Sequence, residues 1–106
     1  MTSYTAKLAA ITTVSALLAY DALGEDLPRP EVDVTGHAES AAVRALSVVS
    51  AVAPYAEAAD DDADFETPIS DLVANLRHLA AALGVDWDAV NRHAAGHYAE
   101  ERADRR

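Results

Sequence analysis

The sequence predicts an all-α fold, a small four-helix bundle that ends in an αα-hairpin. Apolar residues recur at helical spacing in four separate segments, and no segment alternates with a strand period. Alanine, the strongest helix former, occupies 25 of the 106 positions. A chain of this length makes one domain, residues 1–106, and buries roughly 65% of the surface that its unfolded form exposes.

The first helix is expected over 3–23. Ser3 or Thr2 supplies an N-cap, and Gly24 stands where a left-handed residue ends a helix. Tyr4, Leu8, Ile11, Val14, Leu18 and Ala22 share one face, while Ala10, Leu17, Tyr20 and Leu23 add apolar surface elsewhere. Such a helix belongs at the centre of a bundle or in an oligomer interface. Residues 24–36, with two prolines and a terminal glycine, read as an extended crossover. Thr35 opens a second helix over 36–53, with a stripe of Ala38, Ala42, Ala45, Leu46, Val49, Val52 and Ala53. Pro54 ends, kinks or restarts it.

An acidic loop follows over 57–66. The third helix is expected over 68–83, with Thr67 as N-cap, Pro68 in the first turn, and Asp71 near the positive end of the dipole. Its stripe of Ile69, Leu72, Val73, Leu76, Leu79, Ala80 and Leu83 reads as core, and Gly84 ends it. Asp86 caps the fourth helix, 87–103, and Val85 packs on Val90 as a hydrophobic staple. Trp87, Val90, Ala94 and Tyr98 form its inward face. With so much alanine the core is thin for a monomer, so a homodimer burying part of helix one or two is expected.

Charge narrows the function. The chain carries 18 acidic against 8 basic residues, a formal charge of −10, which repels phosphate backbones and anionic lipid headgroups. Direct nucleic-acid binding and membrane binding are therefore disfavoured. The apolar run 8–20 is too short to cross a bilayer, and no clean cleavage site follows it, so it reads as a buried helix rather than a signal segment. The chain has no cysteine, which excludes disulfides, thiolate metal sites and cysteine nucleophiles and fits a cytoplasmic location.

Several stretches invite a chemical reading. Residues 79–96 match a helix-turn-helix, with Gly84 at the turn and Asn91 or Arg92 aimed at base edges. Against this, the two helices are too long for the motif, and Asp86 and Asp88 stand where phosphate contacts should begin. An αα-hairpin with a glycine cap gives the same letters. Asp60, Asp62, Asp64, Glu66 and Asp71 are spaced like calcium-loop oxygens, but Phe65 replaces the turn glycine, Pro68 intrudes, and the last acid is short. His93 and His97, four apart, have the spacing of a metal pair, yet a third ligand from His78, Asp71 or Asn75 is not forced, and a boundary histidine is the better reading. There is no strained serine elbow, no phosphate loop and no repeated Glu-x-x-Glu pair. We therefore expect no enzyme, no cofactor and no bound metal.

The segment carrying Asp71-Leu72, Leu76-Arg77-His78, Leu83-Gly84, Asp86 and His97-Tyr98, about a third of the chain, resembles short α-helical proteins of bacterial, phage or plasmid origin without assigned function. The resemblance implies an αα-hairpin and a mobile-element setting, and it transfers no activity. The expected function is a non-enzymatic, acidic protein–protein interaction module, an adaptor or inhibitor that engages a basic, nucleic-acid-binding partner by charge steering. Glu57, Asp60, Asp61, Asp62, Asp64 and Glu66 are its candidate partner-binding residues. The alternative is a transcriptional regulator using residues 79–96.

Overall fold

A computed structural model describes residues 3–30, 34 and 36–102. They are all-helical, in six helices: α1 (Tyr4–Ala9), α2 (Val14–Leu23), α3 (His37–Leu46), α4 (Val49–Ala56), α5 (Glu66–Ala82) and α6 (Trp87–Arg102). The all-α class expected from the periodicity is what the chain adopts. The helix number differs because each of the first two expected helices is broken.

The break within 3–23 falls at Ile11–Thr13. Thr13 leaves the helical region (φ −136°, ψ 161°), and its hydroxyl accepts from the Ala16 amide at 3.1 Å, an N-cap that starts α2 afresh. Ser3 caps α1 as expected, accepting from the Ala6 amide, whereas the alternative, Thr2, lies outside the described residues. Gly24 ends α2 in the left-handed region at φ 61°. In the second segment Thr35 also lies outside the described residues, and Gly36 precedes α3. That helix stops at Ser47–Val48, where the Ser47 hydroxyl turns back onto the Arg44 carbonyl at 2.6 Å. Pro54 does not end α4, which runs two residues beyond it.

Thr67 is not the cap of the next helix. α5 begins at Glu66, and the Asp64 carboxylate accepts from the Thr67 amide at 3.0 Å. Pro68 sits buried in the first turn, where its missing amide hydrogen costs nothing. At the far end Gly84 is left-handed (φ 71°), Val85 donates to the Ala80 carbonyl, and Gly84 donates to that of Ala81. These paired bonds are a Schellman ending. Asp86 accepts from the Asp88 amide and so caps α6, as expected.

The core lies among the first four helices. Val14, Leu17, Leu46, Val49, Ala53 and Ala56 form a buried cluster, with Ile11, Leu18, Leu27 and Phe65 half-buried against it. α1 packs on α3, α2 on α4, α5 on α4 and the end of α6 on α3. Ser40, buried on α3, donates to the Pro30 carbonyl and ties down the crossover. Glu25 joins the Lys7 ammonium and the Tyr20 hydroxyl, linking α1, α2 and the crossover. Burial, with Glu25 beside it, pushes the Tyr20 hydroxyl up to about 12, so it stays a donor.

Because this cluster carries the packing, Leu46→Ala should lower unfolding free energy by about 2–4 kcal/mol in chemical denaturation. Leu23→Ala, at a side chain 75% exposed, should change it by less than about 0.5 kcal/mol.

Candidate interaction surfaces

Two short helices receive their caps from acids far away in sequence. The Tyr4 and Thr5 amides donate to the Glu39 carboxylate at 3.0 and 2.9 Å, and the Thr5 hydroxyl adds a bond of 2.7 Å. Those bonds hold the Glu39 carboxyl below its ordinary range, the Thr5 amide first. At α2 the Val14 amide donates to the Asp62 backbone carbonyl at 2.7 Å, and the Ser15 amide and hydroxyl donate to the Asp62 carboxylate at 2.8 and 2.7 Å. The Ser15 hydroxyl and amide likewise hold Asp62 low. A carboxylate at a helix N-terminus meets unpaired amides and the positive end of the dipole together.

The acidic loop is therefore pinned to the fold, and its six candidate residues divide. Asp62 caps α2, Asp61 closes a turn on the Ala63 amide, and Asp64 caps α5 with its carboxyl lowered by Thr67. Glu57, Asp60 and Glu66 are exposed around them. Over the whole sequence, residues 1–65 hold eleven acids against three basic residues, and residues 66–106 hold seven against five arginines. Most of the net charge thus belongs to the N-terminal portion.

The second surface is one that the sequence pattern assigns to the core. Along α5 and the following corner Ile69, Val73, Leu76, Leu79, Leu83 and Val85 are 45–68% exposed. Ile69 lies in a separate pocket with Leu8 and Val48, and the other five form an apolar patch on the scale of the largest found on a typical monomer, ~300–600 Å², which is often functional. Val73, Leu76, Leu83 and Val85 line one groove of about 420 Å³ with Trp87 and Val90 of α6. The staple pair Val85 and Val90 shares this groove. The expected inward face of α6 is only half realised, since Trp87 and Val90 are half-buried while Ala94 and Tyr98 are exposed. No residue of α6 is fully buried, and on α5 only Pro68 and Ala80 are. The helix pair needs more cover than the first four helices give it.

Among the remaining candidates Asn91 belongs to the second surface. Asn91 lines the groove and Arg92 is exposed on α6, behind Asp88 in the first turn. His78, His93 and His97 are exposed, and among the described residues no three His, Asp or Glu side chains gather in a way that could hold a metal ion. Asn75 accepts a different role, its amide donating to the Tyr55 hydroxyl at 3.0 Å and fastening α5 to α4. Among the described residues no helix is long and apolar enough to cross a membrane. No family model, curated protein or solved structure matches the chain.

The capping geometry makes stability pH-dependent in a definite direction. Glu39, Asp62 and Asp64 bind protons less readily folded than unfolded, so their contribution is present above the ordinary values of 4.5 and 3.8. It is lost as pH falls through the lower folded values. Melting temperature should drop on acidification below that range. Glu39→Gln and Asp62→Asn should each melt lower than wild type at neutral pH and lose less on acidification, as followed by circular dichroism.

Proposed function

We propose that this chain is a non-enzymatic protein-interaction module, an adaptor or inhibitor whose partner is a basic protein, and that it acts in a soluble compartment such as the cytoplasm. The observation that carries this reading is the separation of charge from apolar surface. The N-terminal portion concentrates the acids, with Glu57 and Asp60 exposed on a loop whose backbone is fixed by Asp61, Asp62 and Asp64. An ordered acidic surface steers basic partners without first having to be immobilised. A nucleic-acid-binding protein is the class of partner whose own surface complements it.

The helix-turn-helix reading ranks second. It has the Gly84 corner and an exposed Arg92, but Asp86 is engaged as a helix cap and Asp88 follows it, so phosphate would meet two acids at the start of α6.

An arginine-rich peptide labelled with a fluorophore tests the proposal. Anisotropy should report binding that weakens steeply between low and moderate salt. The triple variant Glu57→Gln, Asp60→Asn, Glu66→Gln, which spares the three capping acids, should bind about tenfold more weakly, equivalent to about 1.4 kcal/mol. Equal affinity for variant and wild type, or salt-independent binding, would remove the basis of the proposal. Specific retention of duplex DNA by the wild type, abolished by Asn91→Ala and Arg92→Ala, would favour the regulator instead.

A further inference from the structure

We infer that a second copy of this chain covers the apolar face of the α5–α6 hairpin, so that two hairpins close a shared four-helix layer. The inference concerns a different surface from the acidic loop and stands apart from the reading proposed for it.

The first support is a shortage of burial. α5 and α6 span 17 and 16 residues, and among their side chains only Pro68 and Ala80 are fully buried. Isolated helices only a little shorter than these are marginal in water, and most of the stability of helices in proteins comes from packing an apolar face. Here that face is directed outward. The second support is shape. The described residues have a radius of gyration of 15.1 Å, against roughly 13 Å for a compact domain of this length. The shortest extent is 21 Å, about two helix diameters. A helix pair with one apolar side uncovered can supply half of a four-helix bundle.

Area and charge then choose the occupant. The patch, extended by Trp87, Val90 and Ala94 of the neighbouring helix, supplies a large part of the roughly 800 Å² per partner of a standard stable interface. A basic protein has no reason to prefer this face, because residues 66–106 hold seven acids and five arginines. The same near-balance lets two copies approach without the repulsion that their N-terminal portions would generate. An isologous contact also lets each hairpin offer both signs, from Asp71, Arg77, Asp88 and Arg92. The homodimer expected from the sequence was assigned to helix one or two. Val14 and Leu17 of that region are consumed by the core, and the uncovered apolar surface lies mainly on the hairpin.

Sedimentation velocity on the full chain, from about 1 µM to about 100 µM, provides the test. The expected species is twice the 11.2 kDa chain mass. Leu76→Glu with Leu79→Glu should weaken dimerisation at least about a hundredfold, equivalent to about 2.7 kcal/mol, and yield monomer. Cross-linking keeps the inference testable if that variant does not fold. The chain has no cysteine of its own, so Asn91→Cys in the groove and Ser50→Cys on α4 can each be treated with a short bis-maleimide. A covalent dimer through residue 91 and none through residue 50 is expected. Wild-type monomer throughout the range, or cross-linking through residue 50 and not 91, would overturn it. Monomer that still binds the arginine-rich peptide would leave the acidic-surface proposal standing alone.

Discussion

Glu39 accepts three hydrogen bonds from Tyr4 and Thr5, and without them α1, six residues long, has no adequate reason to be helical. A single turn and a half pays the cost of nucleation and recovers almost none of it by propagation. Its stability is borrowed from α3, through a carboxylate that satisfies donors the helix itself leaves unpaired. Asp62 performs the same service for α2 from the opposite direction in sequence. The two caps close loops of about 35 and 47 residues around the same core, so α1 and α2 are each anchored at their first turn, on either side of the Ile11–Thr13 break. The core cluster is then assembled from helices whose starting points are already fixed.

These caps also explain which features could be read along the chain. The endings at Gly24 and Gly84 and the Ser3 and Asp86 caps are local. Each needs only residues within one or two turns, and each was legible. The break at Thr13 was not. The apolar repeat runs through Ile11 and Val14 without interruption, and the residue that stabilises the restart, Asp62, lies 47 positions from its partner Ser15. Thr12-Thr13 before Val14 was the one available signal, as paired β-branched residues with a capping hydroxyl. Thr67 had equal merit as a cap, but Asp64 offered a charged acceptor one turn earlier and α5 began sooner.

The hairpin stripe exposes a different kind of blindness. Periodicity identifies the apolar face of a helix and says nothing about which molecule covers it. Ile69, Val73, Leu76, Leu79 and Leu83 have the spacing of a core stripe, and in this chain they remain half exposed. The clue was quantitative. Alanine fills much of the first two expected helices, and a thin core offers too little surface to receive another long stripe of leucines. Among the acidic candidates composition cannot tell which also accept hydrogen bonds at turns and helix starts. Three of the six are engaged in holding the loop that presents the others.

The two portions consequently draw their order from different sources. In the N-terminal portion, buried side chains and carboxylate caps act within one chain, so its stability should follow pH and not concentration. In the hairpin, the Schellman ending and the Asp86 cap fix the corner, but the apolar area that would stabilise two long helices is returned only on contact with another surface. Association and helix order there are linked, since anything that binds the ordered hairpin and not the frayed one shifts the balance towards order. The acids sit mostly on the portion whose apolar side chains are already covered within the chain. On that arrangement the charged surface stays the same whether or not the hairpin is covered, and the proposed assembly through one face would leave the other available to the proposed basic partner.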